Sequence, residues 1–194
     1  MKYEGPSCRI CGTPTVSPHT TTCKSCMDAR PPYTQILFYG IYEGVLKESI
    51  HLLKFNSRKR LSKPLGSLIS GLSLEKADGI VPVPLHIKGL QQRGFNQTAV
   101  LGRHLSRELG IPLMLDALRK VRETPPQTDV TGKERLKNIK DAFSVSGDVK
   151  GLSLLLVDDV ITTGATVKEC SRVLMEAGAR QVTVVALARS MPRL

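Results

Sequence analysis

Asp158 and Asp159 stand side by side in this 194-residue chain, and Thr162, Thr163, Gly164, Ala165 and Thr166 follow almost at once. Two acceptor-only carboxylates can hold the vicinal 2′- and 3′-hydroxyls of a ribose. The threonine hydroxyls, with backbone N–H groups freed by Gly164, suit a phosphate. A helix opening at that turn would add its first N–H groups and its positive dipole end. The chemistry implied is a cradle for a sugar phosphate. A P-loop is excluded: Gly132-Lys133 is followed by Glu134, and Gln127 stands where the first glycine belongs. No G-x-G-x-x-G follows a predicted strand, which disfavours a dinucleotide fold.

A second constellation is Cys8-x-x-Cys11, eleven residues, then Cys23-x-x-Cys26. Each pair can turn both sulfurs toward one ion, and two pairs complete a tetrahedral thiolate site suited to structural zinc. Four thiolates leave no open position for catalysis. The loop between them, with Pro14, Pro18 and several threonines, has little to bury, so metal binding would supply its folding energy. A pair of disulfides is disfavoured because Met1 to Cys8 contains no apolar leader. A redox pair is disfavoured because the motif occurs twice, outside the main unit. Cys170 falls on an apolar helix face and reads as core.

The elements needed to position the acidic pair are legible around it. Leu152 to Val157 is an uninterrupted apolar run, as in a strand covered on both faces. Val167, Cys170, Val173, Leu174 and Ala177 recur at helical spacing, with Gly178 as a stop. Val182 to Leu187 predicts another strand. Upstream, Pro31-Pro32 marks a break, giving a metal module over 1–31 and a main domain over 32–194. Val45, Leu46, Ile50 and Leu53 predict a helix, and Leu65 to Leu72 a second. Gly79 to Pro84 predicts a short strand, followed by a loop through His86 to Arg93-Gly94-Phe95-Asn96-Gln97. Asn96 is an N-cap for the helix carrying Leu101, Leu105 and Leu109. Residues 123–130 read as an exposed loop, and Thr131 with Glu134 as a capping box. The fold class expected is α/β: a mostly parallel sheet flanked by helices, with a small zinc ribbon-like module.

The formal net charge is +11, and hydrophobic residues make up 41% of the chain. Lys54, Arg58, Lys59, Arg60 and Lys63 fall within ten residues that contain no acid. Arg119, Lys120 and Arg122 form another group, with Lys133, Arg135, Lys137 and Lys140 beyond. Polyanionic partners are expected, either nucleic acid or phosphate-rich small molecules. With no Trp, phosphate contact is favoured over extensive base stacking. No run approaches the roughly 20 apolar residues of a membrane span, and a cytoplasmic location is expected.

The strand, acidic pair and Thr-Thr-Gly-x-Thr turn resemble the PRPP-binding signature of type I phosphoribosyltransferases. Pro82-Val-Pro84 and Arg93-Gly94-Phe95-Asn96-Gln97, together with the four-cysteine segment, resemble the ComF family of phosphoribosyltransferase-like proteins. That resemblance implies a type I phosphoribosyltransferase fold that binds PRPP or ribose 5-phosphate with Mg²⁺. It also implies a role in DNA uptake and single-stranded DNA handling in natural competence, alongside other DNA-uptake proteins. It places Leu85, His86 and Arg93 at the pyrophosphate, and Lys120 or Arg122 facing the site from a flexible loop. Arg93 reads equally well as a surface cation at a helix start. The basic run 54–63 is the candidate nucleic-acid contact. Turnover stays open. An active transferase would use Asp158 and Asp159 to favour a ribosyl cation, with an acceptor the sequence does not specify. The other readings are a PRPP-binding protein that works through nucleic acid, and a PRPP-sensing regulator.

Overall fold

The computed structural model describes residues 2–55, 58–124 and 138–191. The basic residues Lys133, Arg135 and Lys137, the residues Gln127 and Thr131 to Glu134, and most of the expected 123–130 loop lie outside them. Among the described residues, the chain forms α1 (Lys24–Asp28), β1 (Gln35–Ile41), α2 (Gly44–Phe55), α3 (Ser62–Ser70), β2 (Gly79–Pro82), α4 (Ile87–Arg93), α5 (Gln97–Leu109), β3 (Leu118–Lys120), β4 (Phe143–Val145), β5 (Ser153–Ile161), α6 (Ala165–Glu176) and β6 (Gln181–Arg189). A single 3₁₀ turn, Lys59–Leu61, precedes α3.

Four strands make one parallel sheet in the order β1-β6-β5-β2. Val157 of β5 pairs with Pro82 of β2, and Asp158 with Ala186 of β6. Pro82 closes β2, where the missing N–H costs little. The central strand β5 is covered on both faces, which explains its unbroken apolar run. Successive strand side chains point to opposite faces. Leu154 and Leu156 accordingly pack with Val167, Cys170 and Leu174 of α6. Leu155 and Val157 pack with Ile50 and Leu53 of α2, Ile69 of α3, and Leu101 and Leu105 of α5. Cys170 is fully buried in this core.

The cysteine module is not a detached bead. Cys8, Cys11 and Cys26 share the α6-side core with Tyr33 and Ile36. Tyr3 and Ile10 exchange backbone hydrogen bonds with β1, at Tyr39 and Ile36. Tyr3 stacks on Phe38 at 5.4 Å between ring centroids. Gly12 has φ +66, and a Cβ there would come within 2.9 Å of the Phe38 ring, so only glycine fits this close approach.

Three elements differ from the expectation. The segment expected to be loop from His86 to Arg93 is the helix α4. His86 caps it by accepting the Lys88 N–H, and Gly94 ends it in the left-handed conformation. The short antiparallel hairpin β3–β4 and the edge strand β1 had not been foreseen.

Because Leu156 is fully buried in β5, Leu156→Ala should lower unfolding free energy by roughly 2–5 kcal/mol. Denaturant unfolding checks this, and a change under 1 kcal/mol would contradict the packing described.

Candidate functional site

β5 runs through the acidic pair and ends at Ile161, so both aspartates belong to the strand's last turn of pleat. The alternation of side chains then separates them. Asp158 lies on the α6 side and shares a concavity with Ile161, Thr162, Thr163, Gly164, Ala165 and Thr166. Asp159 is buried on the other side, where its Oδ2 meets Lys54 Nζ of α2 at 2.9 Å. The structure thus brings one aspartate to the threonine turn and gives the other to a helix. Lys54, expected among the nucleic-acid-contacting cations, is engaged by this pair; Arg58, Arg60 and Lys63 are exposed.

The turn has the geometry of an anion cradle. Gly164 sits at φ +79 as the N-cap of α6, which only a residue without a Cβ adopts cheaply. Thr163 Oγ1 accepts the Ala165 N–H at 3.4 Å. The remaining N-terminal N–H groups of a twelve-residue helix and its dipole face the concavity. Burial pushes the Asp158 carboxyl up to about 7; the charge of Asp159 adds to the rise, and Lys54 opposes it. Asp158 Oδ1 accepts the Asp159 N–H at 2.8 Å.

The residues expected at a pyrophosphate divide. Leu85 lines a cavity of about 480 Å³ with Pro82, Pro84, Asn96, Leu118 and Lys120. His86 and Arg93 occupy opposite ends of α4, roughly 10 Å apart along its axis. Arg93 lies 5.0 Å over the Phe55 ring and donates to Gln97 Oε1. Lys120 is half-buried, which pulls its ammonium pKa down, and it donates to Thr124 Oγ1 at 2.7 Å. Arg122 is spent on the carbonyls of Asn138 and Lys140. Of the two cations, Lys120 is the one that reaches a cavity wall.

The Arg93–Gln97 motif has a role that its residue types did not announce. Asn96 Nδ2 and Thr98 Oγ1 both donate to the Val83 carbonyl, at 3.1 and 2.6 Å. Phe95 is buried against the α2–α5 core. These contacts pin the loop after β2. The N-cap expected of Asn96 is present, with its Oδ1 accepting the Thr98 N–H.

The four sulfurs of Cys8, Cys11, Cys23 and Cys26 lie within 4.8 Å of one another. Cys11 and Cys23 are 3.6 Å apart and all four are free thiols. A disulfide needs about 2.05 Å, whereas thiolates around zinc stand roughly 3.8 Å apart. Burial pushes the Cys8 thiol up, but hydrogen bonds from the backbone of Cys11, Cys23 and Ile10 outweigh it and bring it down to about 7. Burial and the neighbouring Cys11 push Cys26 up. Such thiols ionise together only around a cation.

A further observation fits that cation. Arg189, at the end of β6, is 6% exposed. One Nη donates to Thr13 Oγ1 at 2.7 Å. Its Nε and other Nη have no hydrogen-bond partner among the described residues. Burial pulls its pKa down, while Cys11, Tyr33, Cys23 and Cys8 pull it up. A tetrathiolate around a dication is a net dianion, the countercharge a buried guanidinium lacks.

The phosphoribosyl transferase domain model matches residues 84–193. The DNA utilization protein YhgH of Escherichia coli K12 is 34% identical over 95% of this chain and 84% of that protein. Competence protein F of Haemophilus influenzae is 31% identical over 95% of this chain and 85% of that protein. Competence protein ComFC of Bacillus subtilis is 29% identical over 97% and 80%. The glutamine PRPP amidotransferase structure from Bacillus subtilis aligns with a TM-score of 0.46 and 26% identity, over 64% of this chain and 25% of that one. The fold and the turn define a type I phosphoribosyltransferase-like protein. The chain belongs to the phosphoribosyl transferase domain family, in its ComF branch.

Three outcomes follow from these charges. Asp158 holds its proton longer in the folded protein than in the unfolded chain, so folding loses stability as pH rises from about 4 to about 7. Asp158→Asn should therefore be more stable than wild type above pH 7, by up to roughly 4 kcal/mol, and equal to it below pH 4. Unfolding across that range checks the sign. Loading the four cysteines with zinc under reducing conditions should raise the melting temperature, and a chelator should reverse the gain. Arg189→Met should destabilise the zinc-loaded protein by roughly 3 kcal/mol but have little or opposite effect on the stripped one. An equal loss in both would show that the guanidinium is not matched to the metal site.

Proposed function

We propose that the protein holds a ribose phosphate, PRPP or ribose 5-phosphate, at the end of β5, and acts in the uptake and handling of single-stranded DNA. The observation that carries the sugar-phosphate reading is the shared concavity of Asp158 and the 162–166 turn at the N-terminus of α6. The turn takes the phosphate through helix N–H groups and threonine hydroxyls. The Asp158 carboxylate, once ionised, accepts from sugar hydroxyls. Asp159 shapes the pocket from behind: ion-paired to Lys54, it fixes α2 against the strand that carries Asp158.

An oxygen-donor carboxylate at the open edge of a sheet fits Mg²⁺. Asp158 would take part in holding it, and the ion would supply positive charge to a pyrophosphate group when bound. Zinc at Cys8, Cys11, Cys23 and Cys26 would be structural.

The DNA half rests on the exposed cations Arg58, Arg60 and Lys63, on the net charge of +11, and on the names borne by the relatives in Haemophilus influenzae and Bacillus subtilis. DNA-uptake proteins are the partners this reading implies, in the cytoplasm. A second reading, an active phosphoribosyltransferase, is favoured by Lys120, whose place on the Leu85 cavity suits a cation brought to a leaving pyrophosphate. The sensing reading keeps the same pocket and omits turnover.

Calorimetry with PRPP and Mg²⁺ should show binding by wild type and at least roughly tenfold loss in Asp158→Asn, the worth of one charged hydrogen bond. Absence of binding by wild type overturns the sugar-phosphate reading. Pyrophosphate release over a panel of bases and amines separates transferase from ligand-binding protein. Affinity for an oligodeoxynucleotide should fall with salt. Arg60→Ala/Lys63→Ala should flatten the log–log slope by about 1.4, or about 0.7 for each lost phosphate contact. A slope already flat in wild type overturns the DNA half alone.

A further inference from the structure

A cavity of about 350 Å³ lies between the linker after the cysteine module and one face of α6. Its apolar floor comprises Pro32, Ile139 and Ala165, and its rim carries Arg30, Lys140 and Lys168. Ala165 also lines the concavity that Asp158 shares with the threonine turn. The two hollows therefore adjoin at the first residue of α6.

The charges of the rim are unbalanced. Arg172, also on the wall, is saturated by Glu169, Glu176 and Asp141. Glu169, the wall's acid, is consumed by Arg172 and by the Asp141 N–H. No ion pair among the described residues engages Arg30, Lys140 or Lys168, and all three are exposed. Three unmatched cations over an apolar floor suit a group that is flat and apolar on one side and phosphorylated on the other. A nucleotide is such a group, and the volume lies in the range of small-molecule pockets. A bare sugar would leave the floor unused, and inorganic phosphate would leave most of the space empty.

The shared residue sets the order. The concavity holding Asp158 and the threonine turn meets this cavity at Ala165, and from there the cavity follows α6 past Lys168, Glu169 and Arg172. We propose that the cavity is a second nucleotide subsite for single-stranded DNA. The phosphate at the 162–166 turn is then the diester nearest the 3′ end of the strand, with the 3′-terminal sugar offering its free 3′-hydroxyl to Asp158 and its 5′-side neighbour between Arg30, Lys140 and Lys168. This rests on the sugar-phosphate reading of the turn and extends it to the substrate class. It also gives the linker after the zinc module a ligand-facing part.

The test measures two probes on the zinc-loaded protein: ribose 5-phosphate, and thymidine dinucleotide carrying a 5′-phosphate. The dinucleotide should bind more tightly and displace ribose 5-phosphate competitively. Arg30→Ala/Lys168→Ala should weaken the dinucleotide about tenfold or more and leave ribose 5-phosphate within twofold. Lys150→Ala, an exposed cation at the opposite end of β5, should change neither. If wild type does not bind ribose 5-phosphate, the reading of the turn fails. If ribose 5-phosphate binds but the dinucleotide binds no better, or the double variant does not discriminate, the subsite alone is overturned. Unchanged melting temperatures of the variants exclude misfolding as the cause.

Discussion

A strand bonded to neighbours on both edges and covered on both faces can place polar side chains only near its ends. β5 is such a strand: β6 and β2 flank it, α6 covers one face, and α2, α3 and α5 cover the other. Asp158 and Asp159 lie near its C-terminal end, two residues short of Ile161, and the chain then leaves the sheet into a glycine-capped helix. The threonine turn, Lys54 and the cavity wall carrying Leu85 and Lys120 are arranged about this single edge. The pairing with β2 brings Pro82 and Leu85 alongside, and the pairing with β6 brings Arg189 to the cysteine module.

The two aspartates show how one local rule divides neighbouring groups. Adjacent on a strand, they face opposite layers. One stays half-buried beside the threonine turn with its proton held up to about 7. The other disappears into an ion pair with Lys54. A buried pair of this kind stabilises little on its own, but breaking it by removing one partner leaves an uncompensated charge. The same logic applies to Arg189, buried beside a four-cysteine cluster that would supply its countercharge with a metal ion bound.

The β5–turn–α6–β6 unit could be read from the residues because its signals are local: an unbroken apolar run, a helical period and a glycine stop. The cysteine spacing was equally direct. What escaped reading depended on distant partners. β1 does carry an apolar run, Ile36 to Ile41, whose alternate residues enter both core layers, but part of its cover is the cysteine module, and its place at the sheet edge is set by pairing with the distant β6. The strands of β3–β4 are three residues each and include Arg119 and Lys120. α4 buries no residue, so it has no apolar stripe to show. At the site, the turn was legible, but Lys54 was read as part of a charge run when its partner lies more than a hundred residues away. The alternation of side chains was the available signal that Asp158 and Asp159 would part.

Thr13 and Arg189 touch across 176 residues of chain, and β1, the strand on which the cysteine module rests, pairs with β6. During synthesis the four thiols emerge early and could take up a metal ion at once, yet their docking ground is finished only when the final strand of the sheet joins it. Closing so long a loop is slow. Early metal uptake would leave a compact knuckle waiting on the ribosome, shielded from oxidation, until β6 arrives and the guanidinium latches the two halves together.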